Sequence, residues 1–286
     1  MGPSKATADN LQPLVLCADD YALSPGVSEG ILALVERGRL SATSCMSLSS
    51  FWPEHARSLA SHAGRIDVGL HVTLTGLKPL SAAGSLAPGG HLPALGHLAQ
   101  QAYLGRLDLG EVRTELASQF DAFEDEWGAP PDFVDGHQHA HVLPGIRDLV
   151  IELAAARAPA AYIRQCADPL RWILRRGVAV PRAFAIAAMS RSLRRKLRGR
   201  RTNDSFRGVT SFQNHETYPD QFRRYLVGPG KRPLIMCHPG RLDDLLPTLD
   251  PVTDQRELEL AYFESPAFLD DLAEAGCRLS RMTSMH

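Results

Sequence analysis

Hydrophobic and polar positions along the chain follow two periodicities, one of strands and one of helices. In Ile66–Leu74, apolar residues occupy every second position, which predicts a half-buried strand. In Glu111–Trp127, Val112, Leu116 and Phe120 recur at helical spacing, which predicts an amphipathic helix. Short apolar runs and helical segments follow one another through the rest of the chain.

This alternation determines the predicted fold class. Further strands are predicted at Pro13–Ala18, Ala42–Leu48, Phe133–His137, Ala161–Gln165 and Pro233–Cys237. Further helices are predicted at Pro25–Arg37, Phe51–His62, Ile146–Ala156, Pro169–Arg201 and Asp254–Ala275. Strands that alternate with helices, with no linker between units, favour a single α/β domain over residues 1–286. We expect a (β/α) barrel of seven or eight mostly parallel strands, similar to a TIM barrel.

Two segments lie outside this alternation. Residues 1–12 are polar and predict a flexible N-terminal tail without an apolar signal core. Residues 75–96 are rich in glycine, proline and serine and predict a long loop, which in a compact domain is a candidate substrate lid.

Composition limits the cellular location and the binding partners that we expect. The 286 residues are 44% hydrophobic and 22% charged, with a net charge of −1, so no overall charge draws the chain to nucleic acid or an anionic membrane. No apolar run is long enough to span a bilayer. The five scattered cysteines predict reduced core residues in a cytoplasmic protein. Seven of the twelve residues in Ser190–Arg201 are basic, which is typical of a solvated helix face, although an anionic partner stays open. A homodimer is also left open.

Candidate catalytic residues stand where predicted strands end, which is where parallel barrels place their active sites. Asp19 and Asp20 close the first strand, and two adjacent carboxylates repel unless a cation lies between them or one is protonated. His71 lies opposite the apolar face of its strand. His238 directly follows the strand Pro233–Cys237 and is well placed for proton transfer. Each of these residues alone also fits an ordinary turn or surface position.

The stretch VDGHQHAHVLPG places Asp135, His137, His139 and His141 two residues apart. If it stays extended, these side chains share one face, and His137 and His141 stand roughly 13 Å apart. One ion with ligand bonds near about 2.1 Å cannot take both. We therefore expect one ligand at the strand end, with the other residues lining the cleft or orienting the ligands.

Together these motifs resemble the YdjC-like carbohydrate deacetylases. The motifs CADDYALSPG, GLHVTLT, DGHQHAH, TNDSFRGVTSF, CHPG and TDQRELELAYFES occur along the chain from Leu14 to about Arg278. The family's first motif usually continues ADD-Phe-Gly, whereas here it is ADD-Tyr-Ala. The change keeps both carboxylates and is expected to alter the turn that follows them.

The resemblance implies an enzyme that removes an acetyl group from an N-acetylated sugar with one divalent metal ion. By position, Asp20, His71 and His137 would be the metal ligands, Asp19 the general base and His238 the general acid. The ion would be Mg²⁺ or Zn²⁺, with Mn²⁺ or Co²⁺ also accommodated. It would activate water and polarise the amide carbonyl.

The remaining polar residues of the site are assigned to substrate binding or to supporting the ligands: Asp135, His139, His141 and Arg164. Two alternatives stay open, a metal phosphoesterase on a similar barrel and a non-catalytic sugar-binding or metal-storage protein. A phosphoesterase of that kind usually carries an HxH pair near its first strand and binds two or three ions. Metal stoichiometry would separate it from a deacetylase with one ion.

Overall fold

The computed structural model describes residues 11–210, 216–228 and 230–285. Within these residues it contains eight strands: β1 Gln12–Tyr21, β2 Ala42–Cys45, β3 Asp67–Val72, β4 Phe133–Gly136, β5 Tyr162–Ile163, β6 Ser205–Arg207, β7 Pro233–Cys237 and β8 Cys277–Leu279. The helices are α1 Pro25–Glu36, α2 Trp52–Ala60, α3 Leu95–Tyr103, α4 Leu109–Trp127, α5 Ile146–Arg157, α6 Leu170–Arg176, α7 Val180–Lys196, α8 Tyr218–Tyr225, α9 Leu246–Leu249, α10 Asp254–Glu264 and α11 Pro266–Glu274.

The strands form one parallel sheet in the order β5-β4-β3-β2-β1-β7-β6. β8 pairs with Gln12–Leu14 at the start of β1. The sheet curls into a half-barrel flanked by helices, and every residue of β1 from Leu14 onward is buried. The predicted class of fold, a (β/α) barrel of seven or eight parallel strands, is confirmed.

Side chains, rather than a backbone ladder, join the two edges of the described sheet. The backbone N–H of Gln165 donates to Oδ1 of Asn203 at 2.9 Å, and Nδ2 of Asn203 donates to the Gln165 carbonyl at 2.8 Å. The hydroxyl of Thr202 donates to the carbonyl of Ile163 at 2.7 Å. The fully buried amide of Asn203 therefore satisfies backbone groups after β5 that would otherwise lack partners.

Two predicted helices are broken in the structure. The segment Pro169–Arg201 forms α6 and α7, because Gly177 and Ala179 adopt left-handed conformations with φ of 67° and 42°. The segment Asp254–Ala275 forms α10 and α11, separated at Ser265, because Pro266 lacks the N–H that a continuous helix needs. The strands β6 and β8 and the helices α3, α8 and α9 were not predicted, since most are too short to show a clear period.

The predicted tail lies mostly outside the described residues, because residues 1–10 are not described and Gln12 already belongs to β1. The predicted loop is irregular from Thr75 to Ala94, and α3 begins at Leu95. Cys17, Cys45, Cys166, Cys237 and Cys277 are free thiols in buried positions. Across the described ranges, no helix is long and apolar enough to cross a membrane.

Candidate active site

A β-bulge at Asp19 and Asp20 builds the first part of the site. Ala18 and Tyr21 pair with Thr43 and Cys45, so three steps along β1 match two steps along β2. Asp20 absorbs the extra residue with a positive φ of 69°, a costly conformation for a residue other than glycine. Adjacent side chains of a regular strand point to opposite faces, whereas here both carboxylates meet partners inside the barrel. The strand predicted at Pro13–Ala18 is longer in the structure, because β1 runs from Gln12 to Tyr21 and contains this pair near its end.

The side chains of Asp20, His71 and His137 meet at the carboxyl ends of β1, β3 and β4. Oδ1 of Asp20 lies 3.2 Å from Nε2 of His71 and 2.9 Å from Nδ1 of His137. The three candidate ligand atoms lie within 4.8 Å of one another. Two imidazole nitrogens and one carboxylate oxygen fit a single divalent ion, since catalytic sites use three protein ligands and an open position.

Asp135 orients the imidazole of His71. The two residues are paired in register on β3 and β4. Nδ1 of His71 donates to Oδ1 of Asp135 at 2.6 Å, and the hydroxyl of Ser44 donates to the same oxygen. This contact directs Nε2 toward Asp20, as is usual for a metal-binding histidine whose other nitrogen faces a carboxylate. Burial lowers the pKa of His71, but Asp135 and Asp20 outweigh burial and raise that pKa to about 10.

Arg164 holds the other two carboxylates. Its guanidinium makes two bonds to Asp19, of 2.6 and 2.8 Å, and lies 2.8 Å from Oδ2 of Asp135. All three side chains are almost completely buried. Although burial opposes the ionised form, Arg164 and His71 hold the pKa of Asp135 below its usual range. Cys17, Asp19 and Asp135 form a second group close enough to hold an ion, and its two carboxylates already share the positive charge of Arg164.

Arg256 is the cation beside Asp20. Its NH2 atom donates to Oδ2 of Asp20 at 2.7 Å, and both side chains are buried. Burial raises the pKa of Asp20, but Arg256 and His137 outweigh it and hold that pKa well below its usual range. Each carboxylate of the Asp19–Asp20 pair thus has its own arginine. The two arginines offset the repulsion between the adjacent carboxylates that the sequence predicts.

The histidine-rich stretch leaves the strand after Gly136. His137–Val142 forms a 3-10 turn, with Gln138 and His139 at φ of 51° and 61°. A Cβ atom on Gly136 would lie 2.9 Å from Nδ1 of His141, so the tight turn requires glycine there. The extended geometry assumed from the sequence is therefore wrong, because the backbone turns at the first histidine. The structure places only His137 of the three histidines in the cluster with Asp20.

The other two histidines face away from that cluster. Nε2 of His141 donates to the carbonyl oxygen of Arg164 at 2.9 Å, and burial and Arg164 lower the pKa of His141 to about 4. His139 packs edge-on against Phe206, and its Nδ1 lies 3.8 Å from the sulfur of Cys166. Both rings therefore support the wall of the barrel near Arg164.

His238 follows β7 directly and lies next to β1. Cys237 pairs with Ala18 in the parallel register of β7 and β1. The next residue along each strand is His238 on one side and Asp19 on the other, so the two are neighbours. The backbone N–H of His238 donates to Oε2 of Glu259 at 2.6 Å. Glu259 is fully buried on α10, and this bond fixes the start of the loop that carries His238.

Comparisons with known proteins identify the family to which the chain belongs. A family model described as YdjC-like protein matches residues 13–274. The chain belongs to the YdjC-like family. It is 32% identical over 275 residues to proteins named chitooligosaccharide deacetylase from Yersinia pestis (strain Pestoides F) and Yersinia pseudotuberculosis (serotype O:1b, strain IP 31758). Each of these alignments covers 93% of this chain and 96% of the relative.

The fold of this YdjC-like protein also matches a solved structure. A crystal structure from Enterococcus faecalis V583, of a protein provisionally named for cellobiose-phosphate cleavage, superposes with a TM-score of 0.73 at 20% identity. The match covers 96% of this chain and 98% of that chain. The fold is therefore shared over nearly the full length of both chains.

Two residues of the YdjC-like site were missed from the sequence, Arg256 and Glu259. Both lie in the motif TDQRELELAYFES, which contributed to the family resemblance without receiving a role. Arg256 bonds Asp20, and Glu259 bonds the backbone of His238. The motif thus connects α10 to Asp20 and to His238. Its charged residues are the feature of the sequence from which these contacts could have been suspected.

Proposed function

We propose that this YdjC-like protein is a metal-dependent carbohydrate N-deacetylase that removes an acetyl group from an N-acetylated sugar or oligosaccharide. The observation that carries the proposal is the grouping of Asp20, His71 and His137 beside Asp19 at one end of the barrel. Relatives in Yersinia that align over nearly the whole chain are named chitooligosaccharide deacetylase, which supports the same reaction class here.

The three ligands are proposed to hold one divalent ion, which supplies Lewis acidity toward water and the amide carbonyl. A pair of imidazoles favours Zn²⁺, and Mg²⁺, Mn²⁺ and Co²⁺ are the alternatives to compare. Asp135 keeps Nε2 of His71 directed at the ligand position, through its bond to Nδ1. Arg256 occupies Oδ2 of Asp20, which leaves Oδ1 directed at both imidazoles.

Asp19 is proposed as the general base. Arg164 bonds both of its oxygens, and the thiol of Cys17 also donates to Oδ1 at 3.5 Å. Of the remaining lone pairs, that of Oδ2 can accept a proton from water. Because Arg164 is buried and bidentate, it fixes the direction of these lone pairs. The arginine is therefore a positioning residue, and it supplies the positive charge beside Asp19.

His238 is proposed as the general acid that protonates the leaving amine. An amine leaves an acyl carbon poorly until it is protonated, so a positioned acid is required. The register of β1 and β7 brings His238 to the side of Asp19, and Glu259 anchors its backbone. Acid and base then approach the acetyl group from two neighbouring strands.

The arrangement supports a deacetylase better than a phosphoesterase with two or three ions. Among the described residues, two groups could hold an ion by spacing. The second of them, Cys17, Asp19 and Asp135, already surrounds the guanidinium of Arg164, which supplies the positive charge. One divalent ion per chain is therefore the expected stoichiometry.

The test is acetate release from N-acetylated mono- and oligosaccharides by protein loaded with each divalent ion in turn. We expect a chelator to abolish release and a divalent ion to restore it, with about one ion bound per chain. Full activity after complete removal of metal, or two or more ions bound at full activity, would contradict the proposal.

Matched variants separate the histidines. His137→Ala should lose both metal and acetate release, because a ligand is removed. His141→Ala should retain metal, because its ring bonds the carbonyl of Arg164 and lies outside the ligand group. Asp19→Asn should keep metal and lower kcat by roughly 10²- to 10⁴-fold. Loss of metal in His141→Ala but not in His137→Ala would show that the ligand is misassigned.

A further inference from the structure

Basic residues are concentrated on α6, on α7 and in the turn that follows α7. Residues 169–201 contain eleven lysine and arginine residues and no aspartate or glutamate, although the whole chain has a net charge of −1. The rest of the protein is therefore acidic overall. In the second half of α7, Lys196 pairs with the exposed Asp148. Within the described ranges, no carboxylate forms an ion pair with the other exposed basic residues of that half, Arg191, Arg194 and Arg195.

The same two helices expose large apolar side chains. On α6, Leu170 and Leu174 lie one turn apart and are 45% and 57% exposed. On α7, Phe184 is 42% exposed. The opposite faces of these helices are buried in the protein, at Ile173 on α6 and at Ile186 on α7. Each helix thus presents a second apolar surface to solvent, next to arginine, and exposed surfaces of that kind often mark sites of interaction.

This surface lies at the end of the barrel that carries the candidate active site. The backbone N–H of Cys166, three residues after β5, donates to Oγ of Ser190 at 2.8 Å. Nη1 of Arg182 donates to the carbonyl of Thr210, three residues after β6, at 3.2 Å. The half of α7 that precedes Ser190 therefore lies at or beyond the carboxyl ends of β5 and β6. Phe184 belongs to that half, and α6 packs against the same helix.

We propose that α6 and α7 form a docking surface for a membrane with anionic headgroups. The exposed apolar side chains enter the boundary between headgroups and acyl chains, and the surrounding arginines bind the headgroup phosphates. Arginine suits this position, because its stem can lie along apolar surface while its charged end stays in water. The inference goes beyond the proposed function and does not depend on it, since it concerns where the protein binds rather than which bond it cleaves.

The exposed apolar side chains favour a membrane over a nucleic acid. A basic face alone attracts any polyanion, because phosphate binding needs only cations. A phosphate backbone, however, offers no apolar partner to the two leucines and the phenylalanine, whereas a bilayer removes them from water. Trp172 on α6 is half-buried, and the guanidinium groups of Arg171 and Arg175 lie 5.9 and 5.5 Å from its ring centre. Tryptophan is enriched where one end of a side chain meets lipid and the other meets water.

Sedimentation with lipid vesicles tests the docking surface on the full-length protein. We expect binding to vesicles that contain equal amounts of phosphatidylglycerol and phosphatidylcholine, and little binding to phosphatidylcholine alone. Added salt should weaken the binding, because exposed charges are screened. Leu174→Ser/Phe184→Ser should lower the partition coefficient by at least about tenfold, because apolar anchors are lost. Arg194→Glu/Arg195→Glu should lower it by a similar factor of at least about tenfold, because two attractive charges become repulsive.

Two variants elsewhere on the surface are the matched controls. Leu269→Ser removes a leucine that is 48% exposed on α11, and Arg57→Glu reverses an exposed charge on α2. Both should bind vesicles as the wild-type protein does. Thermal unfolding checks that every variant is folded, which we expect because all six positions are exposed.

Bromine-labelled acyl chains identify the part of the protein that enters the bilayer, because bromine quenches tryptophan fluorescence only at close range. Of the three tryptophans, Trp52 is buried and Trp127 lies at the end of α4. Quenching by anionic vesicles should therefore be largely lost in Trp172→Phe. Full quenching in that variant would show that another surface meets the lipid and would overturn the proposal.

The vesicle measurements can also overturn the proposal directly. Absence of vesicle binding, equal binding to neutral and anionic vesicles, or unchanged binding in both double variants would each do so. Binding of duplex DNA without vesicle binding, lost in Arg194→Glu/Arg195→Glu and kept in Leu174→Ser/Phe184→Ser, would assign the basic surface to nucleic acid instead. Sedimentation needs no substrate, so these outcomes are distinct from failure of the proposed reaction.

Discussion

Replacing Arg164 with methionine should strongly destabilise the protein. The guanidinium lies in the core, where it bonds Asp19 twice and contacts Asp135. Methionine fills a similar volume but has no charge. Two buried carboxylates would then lose their common counter-ion, while His71 would still contact Asp135.

The magnitude follows from the burial of all three groups. Removing one partner of a buried ion pair costs about 3–5 kcal/mol, because the remaining charge keeps its desolvation penalty. For chains of this size each kcal/mol lowers Tm by about 2–4 °C, so a fall of about 6–20 °C is expected. Arg164→Lys should give a smaller fall, because an ammonium keeps the charge but cannot make both parallel bonds.

The loss of stability in Arg164→Met should also depend on pH, in a direction that the pKa of Asp135 determines. The pKa of Asp135 is held below its usual range, so its contribution is present above the unfolded pKa of about 3.9 and is lost as pH falls through the lower folded pKa. Without Arg164, burial raises that pKa and the carboxyl can protonate at mildly acidic pH. The deficit of Arg164→Met relative to wild type should therefore shrink as pH is lowered from about 7 to about 5.

Thermal unfolding followed by circular dichroism measures the effect. Arg113→Met is the control, because Arg113 and Glu152 form an exposed pair whose removal should barely change Tm. The double variant Asp19→Asn/Arg164→Met should recover part of the loss, since one buried charge is removed. The reasoning is refuted if Arg164→Met unfolds at the same temperature as Arg113→Met at pH 7.

Four further outcomes are expected. Because the pKa of His71 is raised to about 10, metal binding near pH 7 should release about one proton from it. Calorimetry in buffers of different ionisation enthalpy measures this release, and its absence would contradict the assignment of His71 as a metal ligand. Asp135→Asn should weaken metal affinity by roughly 10- to 100-fold in chelator competition, and an unchanged affinity would remove its orienting role. His238→Ala should lower kcat by roughly 10²- to 10⁴-fold, because the leaving amine loses its proton donor; a normal kcat would exclude it as the acid. Asn203→Ala should lower the free energy of unfolding by about 1–3 kcal/mol in denaturant titration, since buried backbone groups near β5 lose their partners. No change would show that the hydrogen bonds of Asn203 do not contribute to stability.

The sequence by itself determined the class of fold and the family. Alternating strands and helices have different hydrophobic periods, so their order can be recognised without tertiary information. The predicted barrel of parallel strands then requires the ends of these strands to meet at one face, which is why Asp20, His71 and His238 could be selected as candidates. The resemblance added the division between ligands, base and acid, and these roles remain proposals.

Only the tertiary structure decided how the candidates are arranged. The β-bulge directs the side chains of both Asp19 and Asp20 into the barrel interior. It depends on the register of β1 with β2, which no local sequence pattern encodes. The same holds for the 3-10 turn after Gly136, which removes His139 and His141 from the ligand group.

The charge partners of the two aspartates also come from distant parts of the chain. Asp19 meets Arg164, which is 145 residues away, and Asp20 meets Arg256, which is 236 residues away. Local sequence predicts that two adjacent buried carboxylates need cations, because burial penalises their charge. Which cations supply that charge depends on the long-range packing of β5 and α10 around β1, and packing of that kind is determined by the whole core.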